Sequence, residues 1–219
     1  RCQVPLVIDP DRPRAARHLL EQAPVDVIVS DDGLQHYRLG RTLELVMIDH
    51  GRGLGNGRCL PEGPLREPAS RLREVDLVVR TGATDDSADG YAMGLQPGEL
   101  VNMKTGERVR PDAWSAPPRV QAVAGIGNPD RFRQTLESLG FLPEVHAFAD
   151  HAQYNENSFA AFDRGEPLIM TEKDAVKCAA FARDNWWYLS VDAILSTEFV
   201  AALDAGLDRH LQPGSQPTH

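Results

Sequence analysis

The sequence predicts an α/β protein built on a mostly parallel sheet, and three observations carry that expectation. Short apolar runs alternate with stretches of helical periodicity, the pattern of strand–helix–strand crossovers. The chain has 219 residues, of which 42% are apolar and 25% charged, enough for one large or two small domains with a proper core. The alternation breaks once, over residues 82–118, and then resumes.

Taken in order, residues 4–8 (Val-Pro-Leu-Val-Ile) form the first apolar run and are expected to be a buried strand. Residues 12–22 carry Ala16, Leu19 and Leu20 on one helical face. Residues 25–29 are the next strand, ending at Ser30-Asp31-Asp32, and strands are expected at 43–48 and 77–79, with a short helix near 68–74. Residues 82–118 are rich in Gly, Pro and Asp, with a turn signal at Lys104-Thr105-Gly106-Glu107. They read as a small β insertion or linker closed by Pro117-Pro118. The resumed pattern predicts strands at 120–124, 145–148, 168–171 and 187–189. Helices are expected at 129–139, 158–163, 174–181 and 197–211. The domain division follows: a first part over 1–81, the insertion over 82–118, a C-terminal α/β domain over 119–212 and a polar tail over 213–219.

Charge and cysteine content exclude several function classes. Lys and Arg number 23 against 32 Asp and Glu, a net charge of -9. Nucleic-acid binding needs a basic face to neutralise phosphates, so nucleic acid is not an expected partner. The 3 cysteines, Cys2, Cys59 and Cys178, are widely spaced with no C-x-x-C, which argues against a disulfide framework or a zinc site. No apolar run approaches the ~20 residues of a membrane span. The chain opens at Arg1 and runs at once into an apolar stretch, so the natural protein is expected to extend upstream.

Five segments can carry chemistry. In Val27-Ile28-Val29-Ser30-Asp31-Asp32-Gly33-Leu34-Gln35-His36, an apolar run ending in two acids delivers carboxylates to the carboxyl edge of a parallel sheet. Ligands bind at that edge, and an acid there can hold Mg²⁺. Gln35 and His36 project beside the acids; a solvated Asp-Asp-Gly turn is the plainer reading. The loop from Gly55 to Pro68 contains Arg66, able to clamp a phosphate, and Glu67, able to ligate a metal. The same pair could instead cap the helix starting near Pro68. Asp150-His151 follows the strand at 145–148, where an oriented imidazole could accept a proton from a hydroxyl; such pairs also serve as surface hydrogen bonds. Thr171-Glu172-Lys173-Asp174 opens a helix, with Lys173 and Lys177 adding charge to an anion-attracting terminus, or simply with Thr171 or Asp174 as a cap. Gly125-Ile126-Gly127-Asn128-Pro129 reads mainly as a tight turn with Pro at the first helical position. No G-x-x-x-x-G-K-[ST] occurs anywhere in the chain.

From Ser30 to Leu39 the sequence resembles the lipid A 4'-kinase (tetraacyldisaccharide 4'-kinase) family, whose pattern there is Asp-Asp-Gly-x-Gln-His. The likeness continues in order through Gly55-Asn56-Gly57 and Leu60-Pro61-x-Gly63-Pro64-Leu65-Arg66-Glu67. It extends through Ala124-Gly125-Ile126-Gly127-Asn128-Pro129, Phe148-x-Asp150-His151, Thr171-Glu172-Lys173-Asp174-Ala175-Val176-Lys177 and Trp186-Trp187-Tyr188-Leu189. The resemblance implies a P-loop-kinase-like sheet with its N-terminal part missing and a second, smaller α/β domain behind a hinge. It implies transfer of the γ-phosphoryl of ATP to the 4'-hydroxyl of a tetraacyldisaccharide 1-phosphate in lipopolysaccharide synthesis. The implied cofactors are ATP and Mg²⁺, and the implied location is the cytoplasmic face of the bacterial inner membrane, held peripherally. Asp31, Asp32 and Glu67 match metal-site acids, and Asp32 also a catalytic position. Gln35, His36, Arg66 and Lys173 match residues lining the nucleotide and substrate. His151 matches the histidine of an Asp-His dyad that activates the sugar hydroxyl. The phosphate loop, the dyad's Asp and a membrane-docking helix are expected upstream of Arg1, so residues 1–219 alone are expected to be inactive. Two readings of other classes remain: a non-catalytic remnant or binding module, and a metal-dependent α/β hydrolase using Asp31, Asp32 and His151 without ATP.

Overall fold

A computed structural model describes residues 4–87, 89–125, 128–149, 152–162 and 165–211. The chain divides into two compact units, Arg1–Gly94 with Leu195–His219, and Leu95–Ile194.

In the first unit, helix α1 (Arg12–Gln22) starts where Asp11 accepts the Arg14 N–H and a proline occupies the first turn. Asp9 takes two hydrogen bonds from the Arg14 guanidinium, at 2.6 and 2.7 Å. These hold its carboxyl at about 2. Strands β1 (Leu45–Asp49) and β2 (Leu77–Thr81) pair in parallel, Leu45 opposite Leu77. The start of β3 (Tyr91–Asn102) adds to β2 in parallel. The core of this unit joins Leu77 and Val79 to Phe199 of helix α4 (Thr197–Leu211). The C-terminal helix therefore packs with the first strands rather than with the strands just before it. Apolar side chains can be assigned to a face from sequence, but not to a partner that distant.

The second unit has strand order β3, β8 (Trp186–Leu195), β7 (Leu168–Thr171), β5 (Arg119–Ala124), β6 (Leu142–Ala147). The pairs β5–β6, β5–β7 and β7–β8 are parallel, while β4 (Arg108–Val109) turns back antiparallel on β3. Helix α2 (Pro129–Ser138) supplies Phe132 and Leu136 to a core shared with Val120, Ala122 and Ile169. On the other face Phe159, Met170, Cys178 and Trp186 pack together. The residues expected as an insertion around the 104–107 turn are a long strand and its short return.

Two expectations fail. Residues 4–8 and 25–29 are not strands; they form no ladder among the described residues, and Ile8 and Val29 are 89% and 87% exposed. An apolar run reports a demand for burial, and a strand forms only when a neighbour meets it. The helices near 68–74 and 158–163 are single 3-10 turns, Ala69–Arg73 and Glu156–Phe159.

Burial pushes the Cys178 thiol up to about 12, whereas Cys59 is half-buried. At pH 8, iodoacetamide is expected to label Cys59 and spare Cys178 until the second unit unfolds. Peptide mapping by mass spectrometry reads this directly, and labelling of Cys178 at the Cys59 rate in the folded protein would contradict the packing.

Candidate functional site

Four of the expected site residues lie on one turn of the first unit. Asp32 has a positive φ of 49°, a left-handed conformation that Asp tolerates better than most residues. A Cβ on Gly33 would sit 2.6 Å from the Ser30 hydroxyl, so any larger residue there would displace the Ser30 side chain. The His36 N–H closes on the Gly33 carbonyl at 2.9 Å. Asp31 and Asp32 stand exposed at the tip, and the Asp31 carbonyl accepts from the Arg12 guanidinium at 3.2 Å. Gln35 and His36 line a cleft of about 230 Å³ with Pro10, Asp11, Arg12 and Pro13.

Glu67 joins this group from 32 residues away: its Oε1 accepts from the Gln35 amide at 2.7 Å. The Tyr37 hydroxyl is its other main partner. Together they hold the Glu67 carboxyl below its usual value, Gln35 contributing most, and Glu67 in turn pushes the Tyr37 hydroxyl up. Glu67 is thus a carboxylate at neutral pH with its orientation set. It does not cap the helix after it, because the Ala69–Arg73 turn has Pro68 at its cap and no side-chain cap bond. That removes the capping reading for the acid; Arg66 itself is exposed.

The loop before Glu67 holds its own shape. Asn56 donates to the Glu62 carbonyl at 2.8 Å and accepts from the Arg58 N–H at 3.1 Å. A Cβ at Gly63 would lie 2.3 Å from the Arg58 carbonyl oxygen. The ordering presents Glu67 at a defined point rather than on a free loop.

In the second unit, Asp150 and His151 lie outside the described residues. Lys173 is exposed in the first turn of helix α3 (Glu172–Cys178), which Thr171 caps by accepting the Asp174 N–H. Sequence reasoning treated Asp174 as a possible cap; it is instead a buried carboxylate, 0% exposed. Its oxygens accept from the Gly125 N–H at 2.8 Å, Thr171 Oγ1 at 2.7 Å, Tyr154 OH at 3.0 Å and Lys177 Nζ at 3.1 Å. Burial alone would raise its pKa, but the donors outweigh it and the net shift is downward. The same burial raises Tyr154 well above its usual range. A Cβ at Gly125 would meet the Tyr154 hydroxyl at 2.2 Å and Asp174 Oδ1 at 2.7 Å, so a larger residue would break this network apart. Asp174 therefore ties the carboxyl end of β5 to the loop following β6, at a residue three positions beyond His151.

A mostly parallel α/β scaffold carrying an acid-tipped turn, tied to a second acid on an ordered loop, defines an α/β protein equipped with hard oxygen donors for a cationic or polar ligand. A sequence profile described as tetraacyldisaccharide-1-P 4'-kinase (LpxK) matches residues 1–208, and the chain belongs to that family. It is 59% identical over 211 residues to the tetraacyldisaccharide 4'-kinase of Pseudomonas fluorescens, covering 96% of this chain and 62% of the relative. It is 60% identical over 215 residues to that of Ectopseudomonas mendocina, covering 98% of this chain and 64% of the relative. The structure resembles crystalline LpxK from Aquifex aeolicus in complex with ATP, with a TM-score of 0.66 and 26% identity, over 92% of this chain and 62% of that one. The chain thus spans somewhat less than two thirds of the length of these relatives.

Proposed function

We propose that this chain serves the ATP-dependent phosphorylation of the 4'-hydroxyl of a tetraacyldisaccharide 1-phosphate in lipid A synthesis. The observation that carries the reading is the Gln35–Glu67 bond at 2.7 Å, which draws a third acid toward the Asp31-Asp32 turn within a family whose relatives are named for this reaction. Phosphoryl transfer demands positioning and charge neutralisation more than covalent chemistry. Asp31, Asp32 and Glu67 would hold Mg²⁺, which supplies neutralisation of the phosphate oxygens. The donor set suits it: these are carboxylate oxygens, and Glu67 is ionised at neutral pH. Among the described residues no three such side chains form a ready metal cage, but Mg²⁺ takes one or two carboxylates and completes its shell with water and phosphate.

In this reading Gln35 orients Glu67, His36 and Arg66 line the bound phosphates or the acceptor, and Lys173 contributes positive charge toward an anionic ligand. His151 accepts the proton of the 4'-hydroxyl as that oxygen attacks the γ-phosphorus of ATP and the bond to the bridging oxygen breaks, with ADP as the leaving group. A phosphate-cradling loop is absent from residues 1–219, so these residues alone are expected to bind ATP weakly and transfer no phosphate. No helix among the described residues is long and apolar enough to cross a membrane. The reading has the protein meet its lipid at the cytoplasmic face of the inner membrane by peripheral contact.

The test is Asp32→Ala in the full-length protein that carries this sequence. The Mg²⁺ concentration for half-maximal transfer is expected to rise, with the ATP requirement at saturating metal little changed. An unchanged Mg²⁺ requirement would remove Asp32 from the metal, and metal-dependent hydrolysis without nucleotide would favour the hydrolase reading.

A further inference from the structure

Behind the Asp31-Asp32 turn a chain of alternating charge, Arg41, Glu44 and Arg71, leads to the metal-site acid Glu67. Arg41 Nη1 donates to two successive carbonyls of the turn, Gly33 at 3.0 Å and Leu34 at 2.7 Å, and its guanidinium lies 5.5 Å from the centre of the Tyr37 ring. Arg41 Nε pairs with Glu44 Oε1 at 2.8 Å, and Glu44 Oε2 takes Arg71 Nη2 at 2.5 Å. Arg71 Nε faces Glu67 Oε2 at 3.6 Å, and Glu67 Oε1 is held by Gln35, the residue after Leu34. The path closes on itself. The side chains of Arg41, Glu44, Arg71 and Glu67 are only 20%, 14%, 17% and 20% exposed. Glu44 is fixed by its backbone as well, donating to Asp76 Oδ2 at 2.8 Å and accepting the N–H groups of Asp76 and Leu77 at 3.1 Å.

The distances rank the partners of Arg71. Glu44 holds it by a short hydrogen bond, whereas Glu67 and the exposed, solvent-screened Glu74 each lie a full ångström further off. Arg71 carries one positive charge close to an acid that must stay available. We propose that Glu44 is a positioning residue that engages Arg71 and so keeps the guanidinium from closing on Glu67, while Arg41 anchors the same carboxylate to the acid turn. This rests on the Mg²⁺ role of Glu67 set out above. Without Glu44, Arg71 is free to form a direct pair with Glu67 and compete with the metal for its oxygens. Without Arg71, that competitor is gone and Gln35 and Tyr37 still orient the acid.

The two removals therefore act in opposite directions on one quantity, which mere loosening of the fold would not do. In the full-length protein, Glu44→Gln is expected to raise the Mg²⁺ dissociation constant, read by calorimetric titration without turnover, about fivefold, the effect of one unit charge at ~4 Å in a watery setting, and to raise the Mg²⁺ midpoint for transfer with it. Arg71→Gln is expected to lower it, and the double variant to return it to or below the wild-type value. The ATP KM at saturating Mg²⁺ is expected to stay near wild type in all three. An unshifted midpoint in folded Glu44→Gln, or a raised one in Arg71→Gln, overturns the proposal; if Glu44→Gln fails to fold, the sign for Arg71→Gln decides alone. The Asp32→Ala arm separates the two levels: no shift there removes the metal reading itself. A shift with Asp32→Ala but none with Glu44→Gln removes only the relay.

Discussion

Replacing Asp174 with alanine is expected to destabilise the second unit by about 3–5 kcal/mol, the usual cost of removing one partner from a buried ion pair. The carboxylate is 0% exposed, and its loss strands the Gly125 N–H, the Thr171 and Tyr154 hydroxyls and the Lys177 ammonium together. All 3 tryptophans, Trp114, Trp186 and Trp187, belong to this unit. Denaturant unfolding followed by tryptophan fluorescence therefore reads it, with the midpoint falling and the slope unchanged. A loss below about 1 kcal/mol would mean that water satisfies those donors as well as Asp174 does.

The pH dependence of this contribution has a definite sign. The folded pKa of Asp174 is depressed below its ordinary 3.8, so the native state favours the ionised form. Its stabilising share is fully present above the unfolded pKa and fades as pH falls through the folded value. The stability gap between wild type and Asp174→Asn is expected to be constant near neutrality and to narrow below about pH 4, the ordinary carboxylate range.

The second large effect concerns the proposed chemistry. In the full-length protein, His151→Ala is expected to lower kcat by ~10²–10⁴-fold, the typical worth of a general base. ATP affinity should hardly move, because a group that takes a proton in the transition state adds little to ground-state nucleotide binding. A loss smaller than about tenfold would demote His151 to positioning the acceptor, and an effect confined to ATP affinity would make it a nucleotide contact instead.

Much of the second unit was legible because its signals are local. Pro129 at the first helical position marks the start of α2, and the structure adds the Asn128 side chain accepting the Arg131 N–H there. The run from Leu168 to Thr171 reads as a strand and is one, with Leu168, Ile169 and Met170 fully buried. The apolar runs at 4–8 and 25–29 misled for the opposite reason. Their residues have strand composition, but pairing is a property of two segments, and no described segment forms a ladder with them.

The candidate site divides along the same line. The acid turn was visible because Asp31, Asp32, Gly33, Gln35 and His36 are neighbours in the chain. The engagement of Glu67 by Gln35 spans 32 residues and that of Asp174 by Gly125 spans 49. In sequence each acid sits next to a helix start, where capping is the ordinary role. Only the fold reveals that one serves a partner across the unit and the other is buried. Arg41, Glu44 and Arg71 were passed over for a related reason: charged residues three apart on a polar stretch look like solvated surface, and the network emerges only when Glu44 is found between both arginines.

The central claim is that these residues serve transfer from ATP to the 4'-hydroxyl of the acylated disaccharide 1-phosphate. It is tested most directly by incubating the full-length protein with that acceptor and ATP labelled at the γ-phosphate, then locating the label in the lipid product. The account predicts label at the 4'-position that requires both ATP and Mg²⁺ and is lost with Asp32→Ala at limiting metal. An acceptor left unlabelled by a folded protein, or label appearing independently of Mg²⁺, would contradict it.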